Sequence, residues 1–476
     1  MTAQSRLAID VTPARSAVAA LIARARAAQA VFQRYSQAQL DEVATAAAWA
    51  IMEPARNRTL AELAVKDTGL GNVPDKIVKN HRKTLGLMRD LKGAKTTGII
   101  AEQPDTGITE IARPVGVVAA VVPSTNPGAT PANNIINALK CGNAVILSPS
   151  PKGYTTCAAL VGYIHAELAR IGAPRDLVQM LAAPVTKESS TELMQQADLV
   201  VVTGSRANVR AGYSSGKPAL GVGAGNVAVI VDDSADVEDA AKKIMASKIF
   251  DNATSCSSEN SVIVHAGIYE AMLAALARQG GVLLSAAEKA TLQKAMFPGG
   301  HLSSAVTAQA VSRICAIAGL ARPELAMAKC LLVEETGTGP DYPFSGEKLA
   351  PVLTVYRADN FDHAFDTLRN IYAYMGNGHS CGIYSENDAH IRRLGLEMTV
   401  CRVIVKQAHT FATGGSFDNG LPFSLSMGCG TWGGNSFSEN LHYKHFLNIT
   451  RIVRTIPARE PSPDDIFGAY RKKHKI

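Results

Sequence analysis

No run of apolar residues in this chain is long enough for a transmembrane helix, which needs about 20 in succession. Its eight cysteines include no CxxC pair and no zinc-type spacing, so neither a disulfide framework nor a zinc ribbon is indicated. A reducing cytoplasm is the expected setting, with most thiols acting as small buried apolar residues. Nor is there a block of like charge. The formal net charge of +7 is spread along the chain, and its clearest basic run, "YRKKHKI" from Tyr470, reads as a solvated terminus rather than a nucleic-acid arm. Neither nucleic acid nor a membrane is therefore expected as a partner, while a modestly basic surface suits anionic small molecules. Internal repeats and low-complexity tracts are missing too, and 47% hydrophobic with 19% charged residues argues against disorder.

What is present is long and alternating. At 476 residues the chain is too large for one small core, and about 150 residues per domain suggests two or three domains. The opening residues 1–29 read as an amphipathic helix rather than a signal peptide, because Arg15, Arg24 and Arg26 interrupt the apolar pattern and Thr12-Pro13 makes a good helix start. Helical spacing continues from Leu40 to Ile51. The segment "KTTGIIAEQPDTGITEIARPVG" alternates polar and apolar residues about a turn at Pro104-Asp105, as a hairpin does.

From Val115 short apolar runs ("VGVVAAVVP", "NAVILSP", "DLVQML", "ADLVVVTG") alternate with helical patterns. Runs of this kind are strands buried on both faces of a doubly wound parallel sheet, which binds dinucleotides at its strand carboxyl ends. A second α/β section begins at "NVAVIVDD" and ends near "CRVIV". The glycine-rich "FATGGSFDNG" and "SMGCGTWGGNS" read as loops, and "HFLNITRIVRTIP" as a last strand. The fold expected is α/β, with two doubly wound domains and a small β excursion. The expected divisions are 1–235 (with the hairpin at 95–113), 236–425 and 426–476.

Three features could carry chemistry. Cys256, in "FDNATSCSSENSVIV", lies among small polar residues between a helix and a strand. A thiolate there could add to an aldehyde carbon, although a free cysteine taken alone is more often a buried filler. Asn126, in "VVPSTNPGATP", could donate to the oxyanion formed by such attack, or simply form a turn before proline. "VVTGS", Val201–Ser205, is a strand–glycine turn entering a helix, where backbone N–H groups could hold a pyrophosphate without a full G-x-G-x-x-G motif.

The set "TNP", "VVTGS", "SSGKPALGVGAGN", "SCSSENSVIV", "EKLAPVL" and "GCGTWGGNSFSEN", in that order from about Val115 to His445, resembles the aldehyde dehydrogenase superfamily and, within it, the CoA-acylating branch. The resemblance implies Cys256 as nucleophile and Asn126, with the Cys256 N–H, as oxyanion donors. It also implies His379 of "NGHSCGIYS" near the active site, though a lone loop histidine is as readily structural. Ser124, Thr125, Gly204, Ser205 and Gly221 would surround the dinucleotide, and Glu347 would hold the nicotinamide ribose. A homodimer or homotetramer would form through the hairpin and last strand. Hydrolytic members carry a glutamate in "E-L-G-G" that activates water; here Ala219 stands in its place, which points to CoA as acyl acceptor.

The finer expectations are cofactor and aldehyde. The turn "ILSPSPKG" offers Ser148 and Lys152 and no acid for the adenosine ribose, and Arg206 could also reach a 2′-phosphate. Both cations could equally be solvated at helix starts, so NADP is expected with NAD as a close alternative. Lys406 and His409, in "VKQAHTFATGGSFDNG", could face an anionic aldehyde tail or simply face solvent. Taken whole, and by the "GGSFDNG" loop in particular, the chain resembles the sulfoacetaldehyde-specific acylating enzymes more than those for acetaldehyde, propionaldehyde or a semialdehyde. A non-catalytic relative would have lost the cysteine or asparagine; a hydrolytic enzyme would have kept the glutamate. No metal is expected.

Overall fold

The computed structural model describes residues 12–476. Residues 1–11, the start of the stretch read as an amphipathic helix, lie outside the described residues; that helix runs Pro13–Phe32, with the Thr12 hydroxyl accepting from the Arg15 N–H. Three further helices, Gln37–Met52, Pro54–Thr68 and Val73–Leu91, complete the helical opening. Among the described residues no helix is long and apolar enough to cross a membrane.

The hairpin is present as β1 (Gly98–Gln103) and β2 (Ile108–Pro114), antiparallel about a turn at Pro104–Thr106. Then come β3 (Val117–Val122), β4 (Ala144–Pro149), β5 (Val178–Met180), β6 (Leu199–Thr203) and β7 (Ala219–Val222), which form one parallel sheet in the order β5-β4-β3-β6-β7. Every residue of β3 and β4 is buried, because helices cover both faces of the sheet. The strand β7 falls within "KPALGVGAGN", whose glycines hide its β character.

The second sheet holds seven parallel strands. They are β8 (Val227–Val231), β9 (Glu259–His265), β10 (Gly281–Leu283), β11 (Cys330–Glu334), β12 (Val352–Ala358), β13 (Cys381–Tyr384) and β14 (Val403–Val405). Their order is β10-β11-β12-β9-β8-β13-β14. Alternate residues of β8 serve opposite cores. Val227, Val229 and Val231 pack with Ile244, Met245 and Met272 on one face; Ala228 and Ile230 meet Phe365, Leu368 and Ile371 on the other. The chain therefore changes sheets between Val222 and Val227, ahead of the expected division at 235. Finally β15 (Leu447–Val453) pairs antiparallel with β2, giving the third sheet, β1-β2-β15. The basic tail is exposed as expected, but it closes a helix, Pro463–His474.

Candidate active site

In a parallel sheet the strand carboxyl ends share one edge, and where strand order reverses the following helices part and leave a crevice. The reversal here lies between β3 and β6. A cavity of about 1070 Å³ opens there and reaches Cys256. Its walls include Ser124, Thr125 and Asn126 after β3, Ser148 on β4, Gly204 and Ser205 after β6, and Glu347. Residues scattered over more than 200 positions are thus brought together by the two sheets.

Cys256 is half-buried and follows a strained approach. Asp251, Asn252 and Ala253 have φ of 49°, 51° and 59°, left-handed values that cost about 1–2 kcal/mol each outside glycine. The buried Asp251 carboxylate holds this turn in place. It accepts from the Asn72 N–H at 2.9 Å, the Thr254 hydroxyl at 2.7 Å, Lys76 Nζ at 3.1 Å and Lys79 Nζ at 2.5 Å. Burial alone would raise this carboxyl, but Lys79 and Lys76 offset it and hold the group below its usual range.

Lys79 also donates to Asn126 Oδ1 at 2.9 Å. A lysine only donates, so this contact fixes which end of the amide is oxygen and leaves the Nδ2 hydrogens as the free arm in the cavity. That is the arrangement an oxyanion donor requires.

Behind the thiol, Cys256 Sγ lies 3.3 Å from His379 Nε2. His379 Nδ1 is 2.7 Å from Ser380 Oγ, which is 2.9 Å from His409 Nε2, so the ring orientation is fixed from behind. Burial and then Arg402 push the His379 imidazole down to about 3; burial, then Glu347 and Cys429, push the Cys256 thiol up to about 12. At pH 7 the ligand-free pair is a neutral thiol beside a neutral imidazole. The rate of iodoacetamide labelling at Cys256, followed by mass spectrometry, is therefore expected to climb about tenfold per pH unit from 7 to 9. A plateau beginning below pH 7 would instead indicate a preformed thiolate–imidazolium pair.

Glu347 Oε1 accepts from the Gly225 N–H at 3.2 Å. Burial pushes its carboxyl up to about 8, so it is mainly protonated at pH 7 and is not poised to activate water. Among the described residues it is the one carboxylate in the cavity wall. Gly225 is required by space, since a Cβ would stand 2.5 Å from the Cys256 carbonyl oxygen. The neighbouring Asn226 donates to the Ser345 and Met375 carbonyls at 2.9 and 3.1 Å and ties this loop to the Glu347 segment.

Several expected residues lie elsewhere. Lys152 and Arg206 are exposed and outside the cavity wall, and Arg206 acts electrostatically on Glu347. Gly221 is a packing glycine: a Cβ there would meet Val209 at 2.8 Å and Tyr213 at 3.0 Å. Ala219 opens β7 and is not a wall, so the lack of a water-activating base rests on the wall residues as a group. The proposed anion contacts Lys406 and His409 are corrected. Lys406 turns outward to Glu386 at 2.7 Å, and His409 is buried behind Ser380.

The sequence reading missed Lys79, Arg82 and Lys83 of the helix Val73–Leu91, and Lys187 and Arg210, all of which line the cavity. One signal was available. Lys76, Lys79 and Lys83 recur at helical spacing, while Val78 and Leu85 stand exposed on the same helix. Arg402 was also missed. It is buried and donates to the carbonyls of His379, Gly428 and Ser438, joining the histidine to the last glycine-rich loops.

The profile of the aldehyde dehydrogenase family matches residues 9–331. The chain belongs to the aldehyde dehydrogenase family. Among curated relatives of this aldehyde dehydrogenase, the sulfoacetaldehyde dehydrogenase (acylating) of Cupriavidus necator is 63% identical over 97% of this chain and 94% of its own length. Among solved structures, an acetylating aldehyde dehydrogenase from Geobacillus thermoglucosidasius superposes with a TM-score of 0.90 at 34% identity, covering 94% of this chain and 98% of that one. A propionaldehyde dehydrogenase from Rhodopseudomonas palustris, solved with bound CoA and an acylated cysteine, gives 0.83 at 25% identity over 92% and 97%.

Proposed function

We propose that this aldehyde dehydrogenase is CoA-acylating and that its aldehyde is sulfoacetaldehyde, converted to sulfoacetyl-CoA. The observation that carries the reading is the 63% identity, over nearly the whole chain, to an acylating enzyme named for that aldehyde. The geometry supports it through a half-buried thiol, an oriented amide donor, and a cavity wall whose one carboxyl among the described residues, Glu347, is mainly protonated at pH 7.

Cys256 Sγ bonds to the aldehyde carbon while its proton moves toward His379 Nε2, 3.3 Å away. The Nδ2 of Asn126 donates to the oxygen that gains charge. When bound, the nicotinamide dinucleotide accepts the hydride that turns the Cys256 thiohemiacetal into a thioester. The CoA thiol then attacks the acyl carbon, forming the new C–S bond as the bond to Cys256 breaks, and Cys256 recovers its proton. For each aldehyde, one hydride passes to the dinucleotide and one proton is released.

The cavity fits these ligands. It lies at the large end of the usual range for small-molecule sites, and Lys79, Arg82, Lys83, Lys187 and Arg210 give it a cationic wall suited to phosphates. Ser124, Thr125, Gly204 and Ser205 would hold the dinucleotide phosphates, with Glu347 at the nicotinamide ribose. Lys187 and Arg210 favour NADP over NAD, since no carboxylate other than Glu347 lines the cavity among the described residues. The exposed Ile99, Ile452 and Val453 of the β1-β2-β15 sheet support a homo-oligomer built through that sheet. The eight free cysteines suit a reducing cytoplasm.

The test is an aldehyde panel with and without CoA, using NAD and NADP separately. Sulfoacetaldehyde with CoA and NADP is expected to give the highest kcat/KM. A higher value for acetaldehyde or propionaldehyde would refute the substrate assignment.

A further inference from the structure

The helix Val73–Leu91 turns four cations inward, and they divide into two pairs. Lys76 and Lys79 share the Asp251 carboxylate. Neither Arg82 nor Lys83 shares that carboxylate; Arg82 feels the Asp418 carboxylate of the neighbouring loop, and both cations line the cavity that contains Cys256. Lys83 is only 9% exposed, and its Nζ makes one hydrogen bond, to the Gly414 carbonyl at 2.6 Å. The ammonium also lies 5.6 Å from the Phe423 ring centre, but its other two N–H groups have no hydrogen-bond acceptor among the described residues. A buried cation without a counter-charge is costly to maintain, which makes the site a place where a counter-charge would arrive from solution.

The loop that the sequence marks as unusual, "GGSFDNG", positions both groups. Ser416 Oγ accepts from Arg82 Nη2 at 2.8 Å, and the guanidinium lies 5.2, 5.9 and 5.6 Å from the ring centres of Phe411, Phe417 and Phe423. Gly414 leaves room for the ammonium, since a Cβ there would stand 2.6 Å from Lys83 Nζ. Gly86 lets Phe423 lie against the helix, because any Cβ would meet its ring at 2.2 Å. Arg82, Lys83, Phe411 and Gly414 line the same cavity as Cys256, so the cations share that space with the thiol. Burial, with Arg82 and Lys79 alongside, holds Lys83 down to about 7; an anion seated between the cations would relieve that repulsion.

Given the acylating reading above, on which this step rests, we infer that Arg82 and Lys83 are the receptor for the aldehyde's sulfonate and determine specificity for it. A sulfonate carries its charge at every working pH and presents three acceptor oxygens. A guanidinium edge and an ammonium converging from one helix can meet them with charge-assisted hydrogen bonds.

The test compares kcat/KM for sulfoacetaldehyde with that for propionaldehyde, each with CoA, in the wild type and in Arg82→Met, Lys83→Met and Lys83→Arg. The selectivity ratio is expected to fall by at least about 30-fold in each Met variant and to be largely restored in Lys83→Arg. An unchanged ratio in both Met variants would overturn the receptor. Should either variant fail to fold, the wild type still answers: ethanesulfonate is expected to protect Cys256 from iodoacetamide, and neutral ethyl methyl sulfone is not. Equal protection by the two, or none by the sulfonate, would overturn it as well. Wild-type turnover of sulfoacetaldehyde with an unchanged ratio in the variants removes only the receptor, whereas no wild-type turnover of sulfoacetaldehyde removes the functional reading beneath it.

Discussion

Replacing Cys256 by alanine is expected to lower aldehyde oxidation by about 10⁴-fold or more while leaving NADP affinity within a few-fold. The loss should be this large because every covalent step passes through one sulfur, and no other cysteine lines the cavity among the described residues. Cys141, Cys157, Cys330 and Cys381 are buried, and burial pushes the thiols of the last three up to about 12. Binding should survive because the residues after β3 and β6 proposed for the dinucleotide phosphates belong to the first sheet, while Cys256 precedes β9 of the second. Stopped-flow absorbance at 340 nm with equilibrium titration of NADP checks both halves. Turnover within tenfold of wild type would mean that another nucleophile carries the reaction.

The second large effect belongs to Asn126. Substitution by aspartate keeps the size and the contact with Lys79 Nζ but removes the donor aimed into the cavity. A fall in kcat of about 10²–10³-fold is expected, with little change in melting temperature. Alanine should lose a similar factor in kcat and somewhat more stability, because Lys79 would then keep only Asp251 and Thr254 as hydrogen-bond partners. Retention of kcat within tenfold in Asn126→Asp would show that the Nδ2 hydrogens do not stabilise the transition state.

Much of this architecture was legible because strands covered on both faces are written as continuous apolar runs, as β3, β4, β6 and β8 are. The strand β7 was less visible, since Gly221 is needed there to admit Val209 and Tyr213. Cys256 and Asn126 could be picked out because their chemistry is local to short motifs. The cations of Val73–Leu91 left only their helical spacing as a signal, because charge on a helix reads as a solvated face until the elements packed against it are known. For the same reason the anion-contact reading of Lys406 and His409 failed: their neighbours Glu386 and Ser380 lie 20 and 29 residues away, and Lys406 takes the solvent-facing alternative. His379 acquires its place only when β13 brings it behind the thiol, 123 residues from Cys256 in the chain.

Acyl transfer to CoA, rather than to water, is tested most directly by mixing enzyme, NADP and sulfoacetaldehyde without CoA in a rapid-mixing instrument. One equivalent of NADPH per active site should appear in a burst and then stop, with Cys256 carrying the acyl group by intact-mass measurement. Addition of CoA should then restart steady turnover and release the acyl thioester. Continuous NADPH formation without CoA, at the rate seen with it, would contradict this mechanism by showing that water accepts the acyl group.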